Sequence, residues 1–170
     1  VAKEFGMDDY EFAVHETKTN EVIMNVKNQK SELGILYLND FNQKALTKIF
    51  RDNGLEFVEL FQCGISVYLW QHNPLAEKKM IDFEEVLSTY EYKKIIKADD
   101  RATLLNLMVG LNAYTLCSGI ICEDLNGNNY TSIPLNTKDK MRIGYIKRKK
   151  VSLSRMGKKY IEELEKYEDK

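Results

Sequence analysis

The residues best suited to holding a small molecule fall in two short polar segments. The first is Glu16-Thr17-Lys18-Thr19-Asn20, set between an alternating Tyr10, Phe12, Val14 and a helically spaced Val22, Ile23, Val26. A loop between the carboxyl end of a strand and the start of a helix offers hydroxyls and unpaired backbone N–H groups to an anion. Such dipole effects are worth about 0.3–1 kcal/mol at exposed sites. Plain N-capping by Thr19 is the competing use of the same residue. The second segment is Asp99-Asp100-Arg101-Ala102-Thr103, ahead of Leu104, Leu105, Leu107, Met108 and Leu111. Arg101 can pair with a ligand carboxylate, or with one of the two aspartates beside it.

Nothing comparable supports catalysis. His15 and His72 stand far apart without an HExxH-type setting. Cys117 and Cys122 lack CxxC spacing and fall at the ends of an apolar stretch, where a cysteine is ordinarily a small buried hydrophobe. There is no G-x-S-x-G, no P-loop and no G-x-G-x-x-G. We expect no enzymatic reaction, no metal and no cofactor. Lys147-Arg148-Lys149-Lys150 is the one strong basic run, either a nucleic-acid patch or the solvated end of a strand. The nearby Glu162, Glu163 and Glu165 favour the second reading.

Composition narrows the classes further. The 170 residues carry 25 Lys+Arg against 26 Asp+Glu, a net charge of −1, and are 44% hydrophobic. That excludes intrinsic disorder and speaks against nucleic-acid binding by this chain itself, which needs an excess of basic residues. No apolar run approaches the roughly 18 residues of a membrane span. Three cysteines, Cys63, Cys117 and Cys122, cannot all pair, which fits a reducing cytoplasm better than a disulfide framework. Val1–Gly6 has no signal-peptide pattern and reads as the last turn of a helix that began earlier. One domain, or two small lobes, is expected.

The elements that must position the two segments follow from periodicity. Tyr10–Val14 alternates like a strand, and Glu21–Val26 has helical spacing with an acid in its first turn. Leu33–Leu38 is nearly all apolar, as a strand buried on both faces of a parallel sheet would be. Asn39 or Asp40 can cap a helix with Phe41, Ala45, Leu46, Ile49 and Phe50 on one stripe, stopped by Gly54. Strand, helix, strand, helix at this spacing predicts βαβ units. Leu55–Trp70 reads as a long extended stretch in which Gly64 marks a bend or a change of sheet. His72-Asn73-Pro74 breaks it. Phe83, Val86, Leu87 and Tyr90 suggest a short helix, and Ile95 and Ile96 a strand. Tyr114–Ile121 looks like a buried strand, Asn126-Gly127-Asn128 a turn and Ile143–Ile146 a strand. Ser152 or Ser154 opens a last helix bearing Leu153, Met156, Tyr160, Ile161, Leu164 and Tyr167.

Taken in order, these segments resemble the effector-binding domain of LysR-type transcriptional regulators. Tyr10–Ile23 is similar to that family's strand, threonine-containing loop and helix. Ser31-Glu32-Leu33-Gly34-Ile35-Leu36 is similar to its Asp/Glu-Leu-Gly/Ala-Ile strand. Asn73-Pro74-Leu75-Ala76 resembles His-Pro-Leu-Ala, with Asn73 in place of histidine in what looks like a turn. Asp100-Arg101-Ala102-Thr103 opens a helix, Gly110 and Tyr114–Gly119 run on into a strand, Ile133-Pro134-Leu135 precedes the last strand, and Leu153-Ser154 begins the terminal helix.

The resemblance implies an α/β fold of two Rossmann-like lobes joined by a two-strand hinge, like the type-two periplasmic binding proteins. Lobe one would be residues 1–63 plus 150–170 and lobe two residues 64–149, with the chain shortened near Ile81-Asp82. It implies an effector held by Thr17 and Thr19 of one lobe and by Asp100, Arg101 and Thr103 of the other, plausibly through a carboxylate. It further implies a homodimer or tetramer in the cytoplasm, DNA contact only through a helix-turn-helix absent from this sequence, and no membrane. A solute-binding protein of a transport system would share the architecture.

Overall fold

The computed structural model describes residues 13–86, 96, 98, 100–120 and 127–166. In chain order the elements are α1 (Thr19–Lys27), β1 (Leu33–Leu38), α2 (Gln43–Asp52), β2 (Leu55–Cys63), β3 (Ser66–Trp70), β4 (Ile81–Asp82), α3 (Phe83–Val86), α4 (Arg101–Leu111), β5 (Tyr114–Cys117), β6 (Tyr130–Asn136), β7 (Met141–Arg148) and α5 (Arg155–Glu165), with a 3₁₀ turn at Pro74–Glu77. The chain divides into two units, residues 1–62 with 140–170, and residues 63–139.

In the first unit the sheet order is β1-β7-β2. β1 runs antiparallel to β7, with Leu33 opposite Lys147 and Leu38 opposite Arg142. Ile23 and Val26 of α1 join Leu36, Leu38, Phe50, Leu55 and Ile146 in one buried cluster. Two glycines let this core close. A Cβ at Gly34 would lie 2.4 Å from Val22 Cγ1, so α1 seats directly on the strand. A Cβ at Gly144 would lie 2.3 Å from the Val58 carbonyl oxygen. Behind it the rings of Phe50 and Phe57 stack at 6.3 Å.

Several expectations are corrected here. β1 is not buried on both faces. Gly34, Leu36 and Leu38 are buried, while Ile35 and Tyr37 are 36% and 43% exposed. The strand therefore alternates, and its described ladder is antiparallel rather than part of a parallel βαβ unit. Asn39 caps the turn that leads into α2 rather than the residue next to Gln43, and its carbonyl accepts from Gln43 N–H at 3.0 Å. Its side chain accepts from the N–H groups of Phe41 and Asn42, an Asx turn placed before the helix begins. Phe41 is 81% exposed and drops out of the stripe, which leaves Leu46, Ile49 and Phe50 facing inward. Gly54, at φ +67°, follows α2 as expected. Of the strand read at Tyr10–Val14, Tyr10 and Phe12 lie outside the described residues, and Val14 is exposed without regular structure.

The stretch Leu55–Trp70 changes sheet at Gly64, as its glycine suggested: β2 ends at Cys63 and β3 begins at Ser66. The return crossing differs from the expected one. It falls between Asp139 and Lys140, not near Lys150, because β7 pairs with β1 and so belongs wholly to the first unit.

The second unit has sheet order β4-β6-β3-β5. β3 is antiparallel to β5 and β6, and β4 is parallel to β6. Ile81, where the sequence looked shortened, is fully buried and sits opposite Leu135. α3 spans Phe83–Val86; Leu87, Tyr90 and Ile95 lie outside the described residues, and Ile96 is exposed without regular structure. β5 is shorter than expected and stands at the sheet's edge. Leu116 and Ile120 are 45% and 40% exposed, so it is not a buried strand. Asn73 is more than a turn residue. At 4% exposure its carboxamide oxygen accepts from Leu75 N–H at 2.9 Å and its amide donates to the Asn112 carbonyl at 2.8 Å, tying the 3₁₀ turn to the end of α4.

Candidate functional site

The first candidate segment folds without the expected cap. α1 begins at Thr19, its N-cap is Lys18, and no side chain caps it. Thr19 therefore does not do the capping that was its alternative use, and its side chain is exposed. Thr17 is half-buried and donates its hydroxyl to the Glu21 carboxylate, one turn into the helix. That bond ties the loop to the first turn of α1, where the exposed Thr19 stands and the helix field favours an anion.

The second segment is capped as its sequence implies. Asp100 is the N-cap of α4 and accepts from Thr103 N–H at 2.8 Å. The same N–H, followed by the Thr103 side chain, holds the Asp100 carboxyl below the usual aspartate range. Asp99 lies outside the described residues. Arg101 is the first residue of α4 and exposed, and its guanidinium acts on the hydroxyl of Tyr68 in β3.

Tyr68 was not nominated by sequence reasoning. The signal was nevertheless present as a two-residue alternation, Ser66-Val67-Tyr68-Leu69-Trp70. Val67 and Leu69 are wholly buried, with Ile133 and Leu135 of β6 also buried. The opposite face is rich in hydroxyls, with Trp70 and Pro134 among them. Tyr68 sits directly across from Thr115 of β5 and Ser132 of β6, and Ser66 across from Cys117, so these side chains share one side of the sheet. The rings of Tyr68 and Tyr130 approach to 5.6 Å, and Tyr130 donates to the Leu105 carbonyl of α4 at 3.4 Å. α4 thus lies over this face. The Tyr68 hydroxyl is buried and has no hydrogen-bond partner among the described residues. Burial first, then Tyr130, pushes its pKa up, so it remains a neutral donor. Burial likewise raises the Cys117 thiol against the opposing effect of the Gly119 N–H.

A separate cavity of about 370 Å³ in the second unit is lined by Gln71, Ala76, Asn128, Tyr130 and Thr131. It includes none of the residues nominated from sequence. Among the described residues no group of three or more His, Cys, Asp or Glu could hold a metal ion, and no helix is long and apolar enough to cross a membrane. The His72 ring meets Trp70 edge-on at 4.8 Å. The basic run is partly occupied with structure: Lys147 pairs with Glu56 at 2.6 Å and donates to the Val151 carbonyl at 3.3 Å.

No family model matches the sequence, and no curated protein does. Solved structures do. The oxidised form of OxyR superposes with a TM-score of 0.63 at 14% identity, covering 95% of this chain and 84% of that one. The effector-binding domain of QuiR in complex with shikimate gives 0.55 at 16% identity, covering 89% and 78%. HinK, a LysR family transcriptional regulator from Pseudomonas aeruginosa, gives 0.59 at 9% identity, covering 91% of this chain and 59% of that one. This chain, with its two sheets and their helices, has the fold of the effector-binding domains of LysR-family transcriptional regulators.

Proposed function

We propose that this chain is the effector-sensing domain of a LysR-type transcriptional regulator, which binds a small molecule and catalyses no reaction on it. The observation that carries the reading is the agreement of fold with ordered sequence motifs. The same segments that resemble the family in the sequence occupy a fold that OxyR, HinK and QuiR share. The candidate contacts are Thr17 and Thr19 in the first unit and Asp100, Arg101 and Thr103 in the second. Their hydroxyls, helix starts and single guanidinium suit a small carboxylate. A net charge of −1 fits a cytoplasmic domain that leaves DNA contact to a helix-turn-helix in another part of the regulator.

Sensing requires two conformations of the domain that bind the effector unequally. Moving a 1:99 population to 99:1 takes about 5.5 kcal/mol of differential affinity. The test is a thermal-shift screen of metabolites against the wild type, Thr19→Ala and Arg101→Ala. Stabilisation of the wild type that weakens in both variants, with unchanged circular dichroism, supports the reading. Equal shifts in all three proteins remove Thr19 and Arg101 from the site. Turnover of any stabilising compound overturns the non-enzymatic role. The regulator reading also expects self-association; a strict monomer by light scattering at high micromolar concentration would overturn that part.

A further inference from the structure

The side of the second unit's sheet that lies under α4 is built like the floor of a binding site rather than like a core. Its other side is apolar, with Val67 and Leu69 wholly buried and Ile133 and Leu135 nearly so. The α4 side carries the hydroxyls of Ser66, Tyr68, Thr115, Tyr130 and Ser132, with Trp70 and Pro134 set among them. In a helix-covered sheet such a face is ordinarily filled with aliphatic side chains. Leaving a buried hydroxyl unpaired is destabilising, and a phenylalanine at the same place would avoid that.

We propose that Tyr68 is a further effector-contacting residue, its hydroxyl donating to an oxyanion, a carboxylate of the ligand, whose charge Arg101 balances from the first turn of α4. The inference rests on the effector-sensing reading and adds to it the residue that reads the anion from the sheet. Three observations support it. The hydroxyl is buried and without a partner among the described residues. Its ring is fixed against Tyr130, which is itself tied to the Leu105 carbonyl of α4, so the donor is held in place before a ligand arrives. The Arg101 guanidinium lies near enough to act on that oxygen, and a ligand's anionic group held there would feel the same charge. A neutral phenol gives direction and a guanidinium gives charge. That combination favours a carboxylate over its amide, because the amide offers one acceptor fewer and no charge.

The test uses acetate, benzoate and succinate beside acetamide, benzamide and succinamide, titrated by thermal shift and calorimetry into the whole chain. Tyr68→Phe removes only the oxygen, and Arg101→Gln only the charge. The expected result is that at least one acid binds the wild type, that its amide binds at least tenfold more weakly, that each variant loses tenfold or more for the acid, and that Arg101→Gln holds its affinity for the amide while Tyr68→Phe loses less for the amide than for the acid. Tyr68→Phe should also melt no lower than wild type without ligand, since no bond is lost. If an acid binds Tyr68→Phe as tightly as wild type, or acid and amide bind alike, the Tyr68 assignment is overturned and the sensing role survives. If no probe of either kind binds but a wider metabolite screen finds a ligand, the oxyanion class is overturned alone. If that wider screen also finds none, the sensing role falls with it. A water trapped on the hydroxyl as its only partner would appear as unchanged affinities, and overturns the assignment.

Discussion

Glu32 holds Ser154. Its carboxylate accepts from both the backbone N–H and the hydroxyl of Ser154, the second at 2.8 Å, across 122 residues of sequence. The same hydroxyl accepts from Gly157 N–H at 3.0 Å and so caps α5. One carboxylate in the turn before β1 thereby fixes where the last helix starts. Ser154→Ala removes the cap and strands the carboxylate, and should cost about 1 kcal/mol in urea unfolding. Glu32→Ala should cost a similar amount, and the double variant less than the sum, because the two act through one contact.

Glycine substitutions separate close packing from open space. Gly34→Ala places a methyl 2.4 Å from Val22 Cγ1, and Gly144→Ala one 2.3 Å from the Val58 carbonyl oxygen. Each should destabilise by about 1–3 kcal/mol, Gly144→Ala more, since its obstacle is backbone. Gly110 in α4 has nothing within 4 Å of an added Cβ, and Gly110→Ala should stabilise by up to about 1 kcal/mol. Denaturant midpoints measured on the three variants check all of this.

Asp100 gives a pH dependence with a definite sign. Its folded pKa lies below the ordinary 3.8, owing chiefly to the Thr103 N–H. The ionised cap therefore contributes stability above the unfolded carboxylate's pKa, and that contribution is lost as pH falls through the folded value. The amide shift of Thr103 should follow this acid titration in NMR. Asp100→Asn, which can still cap, should keep α4 helical and abolish the inflection.

Asn73 predicts a long-range effect of a single side chain. Asn73→Ala removes both hydrogen bonds of a buried side chain, to the Leu75 N–H and the Asn112 carbonyl, and should cost about 1–3 kcal/mol. Asn73→Asp keeps the acceptor but sets a carboxylate against the Asn112 carbonyl, and should be the worse of the two near neutral pH. Thermal melts at pH 4 and pH 7 distinguish them, with the difference shrinking in acid.

Cys117 should resist alkylation. Its thiol is half-buried and pushed above its ordinary pKa, so little thiolate exists at pH 7. Iodoacetamide should label it far more slowly than a cysteine in an unfolded peptide, and denaturant should abolish the difference.

Local signals in the sequence marked the punctuation of the fold. Gly54 after α2, Gly64 between two sheets, Asp100 before α4 and Ser154 before α5 each act through their own backbone or that of the next three residues. What depended on distant coverage was not legible. The run Leu33–Leu38 looks doubly buried because every residue is apolar, yet Ile35 and Tyr37 are exposed. Phe41 looked like part of a helix stripe, but the Asx turn at Asn39 places it ahead of the helix. The boundary near Lys150 was misplaced because a strand's sequence does not say which sheet it joins. At the site, Asp100 and Arg101 could be named from type and spacing. The alternation around Tyr68 was legible, but the burial of its hydroxyl was not, because that comes from Thr115, Ser132 and α4, none of them near it in sequence.

Among the described residues the middle strand of the first unit's sheet is β7, which follows both of its neighbours, β1 and β2, in the chain. As the polypeptide leaves the ribosome, residues 63–139 are complete while β1 and β2 still wait for the strand that joins them. Vectorial synthesis therefore lets the inner unit fold first and the outer one last. A stop codon anywhere before Met141 leaves the first unit's sheet without its centre, whatever becomes of the second.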